Sequence, residues 1–203
     1  MTQSILQPSF FEPQQVDIPG LAYLPDYIDE QTEADLLQNI DDQPWITELK
    51  RRVQHYGYRY DYRARSIASA ERLGMLPDWL EPYGLMMYNI GMLSARPDQI
   101  IVNEYQPGQG IASYIDCVPC FDRAIASISL SSSCMMDFTH SKTGEKTSLL
   151  LEPRSLLLLT DDARYLWKHG ITHRKTDRYQ GQSIKRGRRI SLTFRKVLLA
   201  KLE

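Results

Sequence analysis

At 203 residues, 42% of them hydrophobic, the chain is long enough to bury one sizeable core and short enough that a single compact domain is expected. No apolar run reaches about 18 residues, and the opening MTQSILQPSFFEPQQ lacks the basic start and apolar centre of a secretory signal, so a soluble, cytoplasmic protein without a membrane span is expected. The net charge of −1 hides an asymmetry: residues 1–45 hold nine acids and no Lys or Arg, whereas residues 164–196 hold eleven bases and one acid, Asp177.

Such a basic segment can attract phosphate or another polyanion, or the two halves can form mutually attracting solvated surfaces; composition leaves both open. After the polar leader, DIPGLAYLPDYI reads as a short strand and turn. In TEADLLQNI, Thr32 and Asp35 stand at capping-box spacing while Leu36, Leu37 and Ile40 share a face, which predicts a helix over about residues 33–42. RRVQHYGYRYDYRARSI carries Tyr56, Tyr58 and Tyr60 in alternation, followed by Tyr62, the pattern of a hairpin with one aromatic face. LPDWLEPYGLMMYNIGML predicts a second helix over roughly residues 80–93, with its methionines as core filler rather than a cofactor box.

From residue 99 the pattern turns to short β segments: QIIVNEY, GIASYID, RAIASISL, CMMDFTH, KTSLLLE, SLLLLT, YLWKHGI and RRISLTF. Strands at such short intervals, broken by Gly, Pro or polar residues, predict a mainly β fold, a jelly roll with helices packed against one sheet. The three cysteines, Cys117, Cys120 and Cys134, cannot all pair with one another, and reduced thiols are expected. CVPC lacks the second pair of ligands that a zinc site needs, so Cys117 and Cys120 are read as reduced residues near a pocket mouth.

Asp116 and the histidine of WKHGI, His169, lie on segments that a jelly roll can bring together, and a carboxylate with an imidazole suits iron or another transition metal. Taken alone, the pair fits equally a cupin-like or lectin-like jelly roll in which both are structural. NEYQPGQGIASYID, LEPRSLLLLTDDARYLWKHGI and RGRRISLTFR, in that order, together resemble the AlkB-like family of Fe(II)- and 2-oxoglutarate-dependent dioxygenases. The resemblance covers roughly residues 99–197 and extends more loosely back to IPGLAYLPDYI. It implies a double-stranded β-helix (jelly-roll) core over 99–197, preceded within one domain of residues 1–203 by an extension, 1–98, with helices and a substrate-lid hairpin.

It also implies Asp116 and His169 as two of three iron ligands, and Arg189 and Arg195 as carboxylate-binding arginines of the cosubstrate site, with Arg189 gripping the distal carboxylate. A planar guanidinium suits that task because it offers two parallel hydrogen bonds to a carboxylate. Asn103 and Tyr105 correspond to side chains that donate hydrogen bonds to the same 2-oxoacid. The implied reaction converts 2-oxoglutarate and O2 to succinate and carbon dioxide while hydroxylating a C–H bond, often on an N-methyl group that then leaves as formaldehyde. Tyr56, Tyr58, Tyr60, Arg59, Arg63 and Arg65 fall in the lid region and supply aromatic faces and cations for an alkylated base in DNA or RNA. A protein side chain is the alternative substrate. A monomer is expected.

The family's first metal motif is His-x-Asp, whereas this chain has Tyr114, Ile115 and Asp116. Period-two geometry points residues 114 and 116 to one face, so Tyr114 takes the place of a ligand, and a neutral phenol is a poor donor for Fe(II). Three outcomes stay open: an oxygenase holding iron through Asp116 and His169 with Tyr114, water or another donor; a catalytically silent binding module; and a substitution in an otherwise ordinary enzyme. His140 and His173, outside the motif, are read as surface histidines.

Overall fold

The computed structural model describes residues 16–64, 66–67 and 71–199; Arg65 and the polar leader lie outside the described residues. Two antiparallel sheets face each other. The larger has the order β1-β8-β5-β12-β3-β2 and the smaller β4-β9-β6-β7, where β1 is Leu21–Leu24, β2 Arg52–Tyr56, β3 Gln99–Tyr105, β4 Ile111–Tyr114, β5 Phe121–Leu130, β6 Cys134–His140, β7 Lys146–Leu151, β8 Leu156–Leu159, β9 Trp167–Ile171 and β12 Arg189–Val197. A separate ribbon pairs β10, Thr176–Tyr179, with β11, Gln182–Lys185. This is the expected jelly roll, and every one of the eight segments read from residue 99 onward forms a strand.

The central strand β12 explains how the core and the site share one sheet. Strand side chains alternate between faces. Ile190, Leu192 and Phe194 point one way and join Ile100 and Val102 of β3 and Ala126 and Ile128 of β5 in an apolar cluster with the helices. The intervening residues, Arg189, Ser191, Thr193 and Arg195, take the other face, toward the smaller sheet. β12 is held on both sides, with Ser191 in register with Asn103 of β3 and with Ser129 of β5.

The first helix, α1, runs Glu30–Asp41 and starts earlier than predicted because Asp29, not Thr32, caps it: its carboxylate accepts from the Thr32 N–H at 2.8 Å. Of the three residues predicted to share a face, Leu36 and Ile40 are buried and Leu37 is half-buried. The second, α2, is Glu81–Asn89, shorter than its predicted span; Met87 is core, whereas Met86 is exposed. Gly84 lets α2 approach closely, since a Cβ there would lie 2.5 Å from Pro97 Cγ. A third short helix, α3, Asp161–Tyr165, leads into β9. No helix among the described residues is long and apolar enough to cross a membrane.

Among the described residues the Tyr-rich stretch forms one regular strand, β2, followed by isolated antiparallel bridges, Tyr58 with Arg72 and Asp61 with Ser66, rather than a regular two-stranded hairpin. β2 joins the large sheet beside β3, and the residues after it make a turn closed by the Asp61–Ser66 bridge, with Asp61 Oδ1 accepting from the N–H groups of Arg63 and Ala64. An Asp side chain that satisfies its own turn competes with regular strand pairing.

Candidate active site

β4 and β9 pair with Tyr114 opposite His169, so the register itself sets the phenol beside the imidazole, ring centroids 4.6 Å apart. The strand ends there, and the chain turns so that Asp116 Oδ2 lies 3.4 Å from His169 Nε2. Both side chains are buried. The other Asp116 oxygen accepts from Arg195 Nη2 at 2.7 Å. Burial alone would raise the Asp116 pKa, but the Arg195 charge and the His169 contact outweigh it and hold the carboxyl well below the usual range.

The loop carrying Asp116 is fastened by a residue that sequence reading missed. Arg164 of α3 is 2% exposed and donates to the carbonyls of Asp116 (2.9 Å), Cys117 (3.2 Å), Phe121 (3.5 Å) and Asp122 (3.5 Å). A buried arginine serving backbone carbonyls leaves no sequence signal, since charged residues default to the surface. The same loop is closed by a Cys117–Cys120 disulfide, which corrects the expectation of reduced thiols there; the two Cα atoms stand 5.2 Å apart, within bonding geometry. Cys134 is free and buried.

Arg189 has a different environment. It is 3% exposed, donates to Ser129 Oγ at 2.8 Å, lies over the Tyr105 ring, and has no hydrogen-bond partner at Nε. Among the described residues no carboxylate lies within ion-pair distance of it. An uncompensated guanidinium held inside a protein calls for an anion. Arg189, Asn103, Tyr105, Asp116 and His169 line one narrow inner cavity of about 40 Å³. Asn103 Oδ1 accepts from Arg51 Nε at 2.9 Å, which leaves the amide nitrogen as its donor group.

An outer cavity of about 330 Å³ shares Asn103, Ile111, Tyr114 and Asp116 with the inner one, and adds Arg51, Tyr60, Tyr62, Phe121 and Arg195. Tyr114 therefore stands where the two meet. Of the expected lid residues, Tyr60 lines this cavity; Tyr56 instead packs edge-on against Trp79 in the helix-side core, Tyr58 joins the cluster around Phe121, and Arg59 and Arg63 line a neighbouring cleft. Tyr62, read from sequence only as part of the aromatic pattern, and Arg51, which it did not single out, take places on the cavity wall, and His55 Nε2 bonds the Tyr62 hydroxyl at 3.0 Å.

The donors present fit a divalent iron at two positions, through the Asp116 carboxylate and the His169 ring. The third does not fit, because burial and the nearby Asp116 charge push the Tyr114 phenol far above its ordinary pKa and keep it protonated. His140 bonds the Thr143 N–H through Nδ1 and His173 is exposed, and no group of three His, Cys, Asp or Glu side chains among the described residues is arranged to hold a metal. The buried cation Arg189 fits the tail of a diacid such as 2-oxoglutarate.

Residues 44–195 match the family model of the 2OG-Fe(II) oxygenase superfamily. The chain is 39% identical over 206 residues to the "Alkylated DNA repair protein ALKBH8 homolog" of Arabidopsis thaliana, covering 90% of this chain and 60% of that one. It is 30% identical to the "Probable RNA/DNA demethylase ALKBH6" of Danio rerio, covering 88% of this chain and 86% of that one. The "tRNA (carboxymethyluridine(34)-5-O)-methyltransferase ALKBH8" of Macaca fascicularis is 37% identical, but the chain spans 30% of its length. The fold is shared with the solved structure of OsALKBH1, at TM-score 0.66 and 16% identity over 90% of this chain and all of that one. With the inner face of its jelly roll carrying the acid, the imidazole and the buried guanidinium in one cavity, the chain belongs to the AlkB-like 2OG-Fe(II) oxygenase family.

Proposed function

We propose that the chain is an Fe(II)- and 2-oxoglutarate-dependent oxygenase that oxidatively demethylates alkylated nucleobases in DNA or RNA. The observation that carries this reading is the uncompensated Arg189 guanidinium lining the same cavity as the Asp116–His169 pair. Asp116 and His169 would hold the metal, Arg189 would take the far carboxylate of 2-oxoglutarate, and Asn103 and Tyr105 would donate to the same molecule. Arg195 keeps Asp116 ionised and oriented toward His169. Iron with 2-oxoglutarate and O2, when bound, supplies the oxidising power for C–H hydroxylation. In the outer cavity, the Tyr60, Tyr62 and Phe121 rings and the Arg51 cation suit an unstacked base better than an extended peptide.

A second reading rests on Tyr114: a silent AlkB-like module that binds the diacid and a nucleic acid without turnover. One experiment separates the two. The protein is incubated with Fe(II), ascorbate, 2-oxoglutarate and a single-stranded oligonucleotide carrying an N-methylated base, and succinate is quantified. The oxygenase reading expects succinate from the wild type and none from Asp116→Ala or His169→Ala. Succinate from Tyr114→His alone supports the silent module, whereas wild-type turnover indifferent to Asp116→Ala and His169→Ala rejects the site.

A further inference from the structure

Of the eleven bases between residues 164 and 196, seven are committed within the fold. Arg164 holds backbone carbonyls, Arg189 and Arg195 belong to the inner site, Arg174 and Arg186 neutralise Asp177, Arg188 joins Asp41 to Glu104, and Lys196 pairs with Asp98. The other four, Lys168, Lys175, Arg178 and Lys185, are exposed, and among the described residues none has a carboxylate within ion-pair distance. Attraction between the acidic and basic ends of the chain thus uses a single described ion pair, Arg188 with Asp41. It leaves these four cations unexplained.

Three of the four belong to the β10–β11 ribbon or its approach. The register pairs Thr176 with Lys185 and Arg178 with Ser183, so these four side chains share one face, and all four are exposed. The opposite face carries Asp177, Tyr179 and Ile184, with Tyr179 and Ile184 packed against Met135 and Leu150. Asp177 is fully buried and bonded by Arg174 and Arg186, so the one acid of the segment is turned inward and cancelled. What faces solvent is two cations and two hydroxyls. Lys175, just before β10, is also exposed, and its side chain runs along the β3–β4 loop, where a Cβ on Gly108 would sit 3.6 Å from Lys175 Cγ. In the same loop Gln109 donates to the Lys50 carbonyl at 2.7 Å, next to the cavity-lining residues Leu49 and Arg51.

We infer that the exposed face of the β10–β11 ribbon binds the phosphate backbone of a single-stranded nucleic acid whose target base enters the outer cavity. The inference rests on the nucleic-acid reading of that cavity and adds the surface that tracks the strand. Arg178 flanked by the Thr176 and Ser183 hydroxyls offers the planar fork and neutral donors that phosphodiester oxygens accept. Base stacking in the cavity then selects the nucleotide, and the ribbon sets affinity through charge.

The test is the salt dependence of binding, read by fluorescence anisotropy with a labelled single-stranded RNA and a DNA of the same sequence, without iron or 2-oxoglutarate. Each neutralised phosphate of a single strand adds about −0.7 to the slope of log K against log salt. Arg178→Ala/Lys185→Ala should therefore flatten the slope by about 1.4 and weaken binding on the order of tenfold at low salt. Arg96→Ala/Arg123→Ala, an equal change of net charge at exposed positions outside the ribbon, should leave the slope as it is. A slope unchanged in the ribbon variant, a wild type that binds neither strand, or competition by polyglutamate as strong as by nucleic acid would each overturn the inference. Succinate formation, measured separately, reads the oxygenase proposal, so a protein that binds strands with the expected slope but makes no succinate keeps the ribbon and loses the enzyme.

Discussion

Removing Asp116 strands a positive charge inside the protein. Arg195 is 6% exposed, and besides Asp116 its guanidinium has a 3.4 Å contact with Gln99 Oε1, a position over the Phe121 ring, and an Nε without a partner. None of these replaces a carboxylate at 2.7 Å. Breaking one partner of a buried ion pair typically costs about 3–5 kcal/mol, mostly as the desolvation of the charge left behind. Asp116→Ala should fall in that range. Asp116→Ala/Arg195→Met deletes the stranded charge while keeping much of its volume, so the double variant should be more stable than the sum of the single losses, with a coupling of about 2–3 kcal/mol. Urea unfolding of the four proteins at neutral pH with chelator present measures the cycle without any metal contribution. Losses that add within about 0.5 kcal/mol would refute the claim that Arg195 depends on Asp116.

The same pair fixes the sign of an acid effect. Because the folded Asp116 carboxyl is held below its ordinary pKa, its contribution is complete above the unfolded value of about 3.9 and is lost as pH falls beneath it, a loss that Asp116→Ala cannot show.

His55 should act at milder acidity. Burial, then the cations of Arg59, Arg195 and Arg51, lower its pKa from 6.5 to about 4, so between those values the unfolded chain binds a proton that the folded one refuses. At about 1.4 kcal/mol per unit, acidification across that window should cost roughly 3 kcal/mol, and urea midpoints at pH 7 and pH 5 should draw together in His55→Gln. Arg164→Met leaves four carbonyls of the Asp116 loop without their donor and should lose about 3 kcal/mol in the same assay, with Arg164→Lys recovering less than half because one ammonium cannot reach carbonyls spread over residues 116–122.

The strands were legible because each buries one face of a sheet, and that burial imposes an alternating or continuously apolar pattern on QIIVNEY, RAIASISL and RRISLTF. β10 and β11 were not, because TDRY and QSIK place an acid and a tyrosine inward and the ribbon covers the outside of another sheet rather than building a core. The cap of α1 was misplaced for a related reason: several Asp and Thr side chains near residue 30 can cap, and the choice falls to whichever residue the preceding turn leaves extended. Asp116, His169 and Arg189 were singled out through ordered motifs and line one cavity, whereas Arg164, Arg51 and Tyr62 act through backbone carbonyls, an amide and a cavity wall, contacts that exist only after folding. The CVPC bond escaped reading because compartment and spacing argue about pairing only on average, while a local turn brings these two sulfurs together.

The side chains around Tyr114 are held by protein contacts. Asp116 and His169 face each other at 3.4 Å. Asp116 also has the Arg195 guanidinium, its backbone is fastened by Arg164, and His169 is packed between the Tyr114 and Phe138 rings. The phenol pairs in register with His169 and fills apolar space without asking for a charge. The phenol is accommodated by the packing of the strands around it. Tyr114→His should unfold at nearly the same urea concentration as the wild type while taking up Co(II), read by its visible absorption, at concentrations where the wild type takes up less. Equal Co(II) uptake by the two proteins would mean that the phenol does not weaken the metal site.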